Sequence, residues 1–247
     1  MVTNMGFYFE TQKEVRGGKF VWFADSNPSL QKNQLLGGDL LNPKKGFDHF
    51  YAGQLGKYVP GGGLSSDTAG ITIFRAFKPK TAATSSTEIV VTATGYEDAP
   101  EVGMIIMVAP AALKVTTMTA DTTTGEVTST TADATGQSAK ITAVVYDKDN
   151  EKFTLTVDTA LTVTTDDILV EATGTAASAS AKPLVDYVNF WIEKDTDLMP
   201  TDGFGVKNGK YWMSGVSGAA AYIGRIQPLP AYILAQNKSL IDGVFEI

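Results

Sequence analysis

The chain has 247 residues, with 20 basic and 27 acidic side chains, 43% hydrophobic residues, one histidine and no cysteine. That length fits one large or two small domains with a real core, and the missing thiol excludes disulfide frameworks, thiolate zinc sites, iron–sulfur clusters and cysteine nucleophiles. His49 alone excludes multi-histidine metal sites and the H-E-x-x-H zincin, and a net charge of −7 argues against nucleic acid and anionic membranes as partners.

Taken in chain order, the N-terminus MVTNMGFYFETQKEV lacks a basic n-region and an apolar h-region, so no signal peptide is expected. The segment FVWF at 20–23 predicts a short buried strand, and ITIFRAF at 71–77 another. Next, EIVVTAT at 88–94 and VGMIIMVA at 102–109 are rich in β-branched or apolar residues and are bounded by turn residues, as strands are. The longest apolar run, 102–113, contains Gly103 and Pro110 and is too short to span a bilayer. Residues 116–137 are low-complexity Thr/Ser/Ala/Asp, readable as an exposed hairpin centred on Gly125-Glu126 or as a loop. In AKITAVVYDKDNEKFTLTV (139–157), Ile141, Val144 and Tyr146 mirror Phe153, Leu155 and Val157 across a polar turn, which predicts a β-hairpin. TALTVTTDDILVEATG supplies one or two further strands, with Asp166-Asp167 marking the start of 168–171. PLVDYVNFWIEK (183–194) places Leu184, Val188, Trp191 and Ile192 at helical spacing behind a proline and predicts a short helix. In FGVKNGKYWM (204–213), Asn208-Gly209 predicts a tight hairpin turn, the small residues of 215–224 suit close backbone packing, and 231–239 predicts one more helical turn.

Composition divides the chain. Twenty-four of thirty threonines lie within 81–175, whereas only Tyr96, Tyr146 and Phe153 of the 24 aromatics do. That stretch carries 14 acids and 4 lysines, net −10, leaving 13 acids and 16 bases outside it, net +3. The expected fold is mainly β, a β-rich α+β arrangement. In it a base of 1–86 and 176–247, aromatic-rich with few short helices, carries an inserted, acidic, Thr-rich β-barrel or sandwich at 87–175.

No catalytic, cofactor or metal residue can be assigned. Asp147, Asp149 and Glu151 open like a calcium loop, but the sixth position is Lys152 rather than glycine and the twelfth, Asp158, falls in a strand, so a hairpin turn is preferred. Asp166-Asp167 has the composition of half a glycosidase carboxylate pair and reads more simply as a solvated strand start. His49 has no G-x-S-x-G elbow to serve and reads as a packed or interface residue. PGGGL (60–64) matches no phosphate-binding pattern and reads as a turn. Trp22, Trp191 and Trp212 with nearby tyrosines have the chemistry to stack on sugars, but core packing is the simpler expectation.

Several strings, GGDLLNPKKGFDHFYAGQLGKY, ITIFRAFKPKTAA, APEVGMIIMVAP, DDILVEATG and IQPLPAYILAQNKSLIDGVFEI, together resemble the head-fibre and auxiliary capsid proteins of tailed bacteriophages, of the crAss-like type found in phages of gut bacteria. The resemblance is greatest at the termini and least in the Thr-rich middle. It implies a non-enzymatic homo-oligomer, dimer or trimer, on the capsid exterior, with the major capsid protein or other virion proteins as partners. The alternatives are a host-glycan-binding module, another virion part such as a tail, ring or major capsid subunit, and, last, a glycan-cleaving enzyme.

Overall fold

The computed structural model describes residues 35–43, 48–51, 53–61, 69–93, 99–120, 127–192, 196–198, 206–207, 210–216, 220–222, 226–236 and 244–246. The expected strand at 20–23, Gly62 and Gly63 of the PGGGL turn, and the Asn208-Gly209 turn lie outside them. The fold is mainly β, built of curled sheets forming a half-barrel.

The chain first lays down β1 (Leu35–Leu40), β2 (Asp48–Phe50), β3 (Leu55–Val59) and β4 (Gly70–Ile73). It then builds β5 (Ala76–Phe77), β6 (Ala83–Thr92), β7 (Ile105–Val108), β8 (Lys114–Ala120), β9 (Val127–Asp133), β10 (Ser138–Asp147), β11 (Lys152–Val163) and β12 (Leu169–Glu171). The return comprises β13 (Phe190–Trp191), β14 (Thr196–Leu198), β15 (Val206–Lys207), β16 (Lys210–Val216), β17 (Ala220–Tyr222), the helix α1 (Ala231–Leu234) and β18 (Val244–Glu246).

Two six-stranded sheets follow this order. In the first, β1 pairs with β4, β4 with β3, β3 with β13, β13 with β16, and β16 returns to β1, so five strands close a ring, with β15 added on β16. Ring closure brings backbones close, and glycine makes room. A Cβ on Gly215 would collide with the Trp191 carbonyl oxygen and the Phe190 ring, and one on Gly38 with the Ala69 carbonyl oxygen. Leu40, Phe50, Ile71, Ile73, Phe190, Ile192 and Met213 form the core on one face of this ring.

The second sheet has the order β5-β12-β7-β10-β11-β6. It curls until the chain beyond β5 reaches the far edge, where Pro79 bridges Val91 and the amides of Lys80 and Thr92 donate to the carbonyls of Val90 and Lys78 at 2.8 and 2.9 Å. Bulges between β6 and β11 assist the curl, with Ser85 at φ +47°.

Both faces of β5, β7 and β12 are covered. Phe77, Ile106 and Leu169 enter the core of the half-barrel, with Ile89, Val91, Ile141 and Leu155. Their chain neighbours Ala76, Ile105, Met107 and Val170 point the other way. They join Leu55, Phe74, Trp191, Val185 and, from the helix side, Leu229, Tyr232 and Ile233 in a core shared by the two sheets. Alternate side chains feeding two cores require a continuous apolar run, which is why IIMV carries no polar alternation.

Three sequence expectations are corrected. ITIFRAF is two strands, β4 and β5, in different sheets, with Phe74 and Arg75 as the crossing. Residues 183–192 hold no helix. There Pro183 bridges Ala172, the Leu184 amide donates to Glu171 O, and Phe190–Trp191 is the strand joining β3 to β16. Ladder bonds and burial of Val185, Val188 and Trp191 outweigh the helical spacing. The Thr-rich segment is a hairpin whose paired strands lie at 114–120 and 127–133 rather than within 116–137, and the turn expected at Gly125-Glu126 lies outside the described residues.

Other expectations match. The 139–157 hairpin forms in the register anticipated, Ile141 opposite Val157, Val144 opposite Leu155 and Tyr146 opposite Phe153. β15 and β16 pair with two residues between Lys207 and Lys210, and a single helical turn forms at 231–234. The sequence boundary at residue 87 falls inside β6, and that at 175 lies four residues beyond the end of β12.

Candidate functional site

Two places gather polar chemistry: a buried junction between the sheets, and an exposed arm. At the junction, Arg75 is 2% exposed. Its Nη1 donates to the Asn42 carbonyl oxygen at 2.7 Å and lies 3.3 Å from Glu171 Oε2. Asn42 Nδ2 donates to the same Glu171 oxygen at 2.8 Å and to Ile73 O at 2.9 Å, while Asn42 Oδ1 accepts from the Ile73 amide at 2.8 Å. The Asn42 amide thus stands in for a missing strand neighbour of β4.

Two further amides do the same nearby. Asn189 Oδ1 accepts from the Tyr58 amide at 2.7 Å and its Nδ2 donates to Tyr58 O at 3.0 Å. Gln227, 3% exposed, donates to Phe74 O at 2.8 Å and accepts from the Leu55 amide. These groups satisfy main-chain atoms where the ladder breaks between sheets, as buried polar groups must be satisfied. Tyr232 lies beside them, its hydroxyl donating to Val185 O at 2.9 Å, and burial pushes its phenol well above the ordinary range. Asn42, Asn189 and Gln227 carry no sequence signal, since any asparagine or glutamine in a loop reads alike.

The arm is the β8–β9 hairpin. Seven successive pairs run from Lys114 opposite Asp133 to Ala120 opposite Val127 without a bulge, and all fourteen residues are exposed. It is a two-stranded sheet by itself, joined to no other described strand. Its foot is pinned: Leu113 O accepts the Ala134 amide at 2.8 Å, and Asp133 lies 3.2 Å from Lys114 Nζ and 2.7 Å from Lys182 Nζ. Hydrogen bonds from Lys182 and then Lys114 hold the Asp133 carboxyl below its ordinary range. Thr116 and Thr131 share a hydroxyl hydrogen bond of 3.0 Å across the strands.

The candidate residues read from sequence are not brought together. Asp147 accepts from the Asn150 side chain at 2.8 Å and its amide at 3.1 Å, and lies 3.5 Å from Lys152, so it closes the β10–β11 turn, where Glu151 takes φ +45°. The Asn150 hydrogen bonds lower its pKa. Asp167 accepts from the Thr164 amide at 2.7 Å and hydroxyl at 2.9 Å, again a turn. His49 sits in β2 opposite Asp197 of β14. Trp191 is fully buried in the shared core, Trp212 lies in β16 opposite Asp39, and Trp22 lies outside the described residues. Among the described residues no three His, Asp or Glu side chains form a group suited to a metal, and no helix is long and apolar enough to cross a membrane.

Comparison with protein families, with curated proteins and with solved structures finds no match to this chain.

Proposed function

We propose that this is a non-enzymatic virion structural protein, a capsid-attached head-fibre or auxiliary capsid protein of a tailed phage. Its base docks on the capsid and its Thr-rich β-region faces solvent. The observation that carries the reading is where the phage-like strings fall. GGDL ends β1, ITIFRAF spans β4 and β5, GMIIMVAP holds β7, DDILVEATG holds β12 and PLPAYIL ends in α1. These are the segments that supply Leu40, Phe74, Met107, Val170 and Ile233 to the cores. The least similar part, the Thr-rich segment, contains the exposed arm, in keeping with a scaffold held by packing and a solvent-facing extension.

Asp147, weighed as the opening of a calcium loop, and Asp167, weighed as half of a carboxylate pair, are both spent on turns. The test is mass spectrometry and antibody labelling of purified particles. The chain is expected in many copies on the capsid exterior, and its absence from particles overturns the proposal. A host-glycan role has one favourable feature. Tyr146 and Phe153 pair at 4.9 Å between ring centroids, with Tyr146 exposed at the end of the β10–β11 hairpin. Glycan-array binding lost in Tyr146→Ala would support it as an added activity.

A further inference from the structure

We infer that the β8–β9 arm is a self-association element, and that its edges, joined to no other described strand, take up the same arm of another copy of this chain by antiparallel strand pairing. The inference takes up the homo-oligomer that the phage resemblance implies and does not depend on the capsid. An isolated two-stranded ribbon is at best marginally stable in water, and it leaves two rows of unpaired backbone groups. Soluble proteins ordinarily guard such edges with lysines along the strand, proline, bulges or very short strands. Beyond Lys114 at its foot, this arm has none of these over its seven pairs.

Charge decides the occupant. The surrounding stretch, 81–175, carries net −10, yet within the two strands the formal charges are Lys114 and Asp133 alone, and they face each other at the foot. Six uncharged pairs remain, from Val115 opposite Ala132 to Ala120 opposite Val127, so the strand edges themselves meet without like-charge repulsion, the arm's other two charges, Asp121 and Glu126, lying in sequence beyond the paired strands. Area decides the mode. Strands of seven residues, at roughly 3.3 Å per residue and about 4.8 Å apart, offer a face of only about 220 Å², well below the ~800 Å² per partner of a stable interface. Main-chain hydrogen bonding along an edge therefore carries the contact, not face-to-face packing.

The geometry is self-consistent. Arms projecting side by side in one direction set β9 of one copy, running down, beside β8 of the next, running up, which is an antiparallel pair. Residues opposite one another share a face, so Met118, Ala120 and Val127 lie together near the outer end of one face. Met118 is 74% and Val127 62% exposed in the single chain. Lateral pairing would bring these apolar side chains from neighbouring copies together.

The test is light scattering of the full-length protein across a concentration series, beside two variants. Thr128→Lys/Thr130→Lys charges the β9 edge at exposed positions, and the second variant replaces 114–133 with a two-glycine link. The wild type is expected to associate, the lysine variant to raise the self-association Kd by at least about tenfold, and the arm-less variant to stay monomeric at the same concentrations. Hydrogen exchange of the arm amides should slow as wild-type concentration rises. Far-ultraviolet circular dichroism and the melting temperature of the body report that both variants fold. A wild type that stays monomeric overturns the inference and leaves the arm to a different protein. An oligomer of unchanged mass in the folded variants also overturns it, placing the interface elsewhere.

Discussion

Arg75 shows what one side chain does at the seam between the sheets. It is buried, fixed to the Asn42 carbonyl and the Glu171 carboxylate, and sits in the two-residue crossing from β4 to β5. Arg75→Ala removes a buried cation from beside the largely buried Glu171 carboxylate, and chemical denaturation is expected to show a loss of about 3 kcal/mol. Asp133 behaves differently because it is exposed. Its folded pKa lies below the ordinary 3.8, so its contribution is fully present above that value and is lost as pH falls through the lower, folded value. Below pH 3.8 the foot of the arm is expected to open. Hydrogen exchange of the β8–β9 amides should record this, and Asp133→Asn should show the faster exchange already at neutral pH.

At the scale of elements, the arm and the body differ in what holds them. The arm rests on its own ladder and on the ion pairs at its foot, whereas β5, β7 and β12 are clamped between two cores. Leu113 and Ala134 are already hydrogen-bonded to each other, so replacing 114–133 with a two-glycine link closes the chain without moving either end. Calorimetry of that variant is expected to give a melting temperature within about 3 °C of the wild type, because little apolar area is removed. A larger fall would mean that the arm supports the body. Periodicity made some elements readable in advance. The β10–β11 hairpin was legible to the residue because Ile141, Val144 and Tyr146 face Val157, Leu155 and Phe153 on one side of a half-buried pair. Residues 183–192 were not, since their apolar spacing of three and four also arises when an irregular segment buries Val185 and Val188 against a neighbouring sheet.

For the whole molecule, the shared core governs how separable its parts are. Ile105, Met107, Val170 and Ala172, all within 87–175, pack with Leu55, Phe74, Trp191 and Tyr232 from outside it. Deleting 87–175 strips these partners and exposes large side chains, at roughly 1.5–3 kcal/mol for each fully buried one. The remainder is expected to aggregate or to unfold without a cooperative transition, read by size exclusion and calorimetry. A soluble remainder with a sharp transition would show that the base folds without the insert.

Composition and short-range residue patterns determined that the chain is mainly β, that thiolate and multi-histidine chemistry are closed to it, and that its acidity sits in a Thr-rich middle. Those properties are sums over residues or repeat at short range, so they survive without knowledge of contacts. The tertiary structure alone decided that ITIFRAF divides between two sheets and that β1 closes on β16. It also decided that Asn42, Asn189 and Gln227 replace missing strand neighbours, through hydrogen bonds that span 31, 131 and 153 positions of sequence. A pairing across such distances depends on which edges meet when the sheets curl, and no local pattern of residues encodes it.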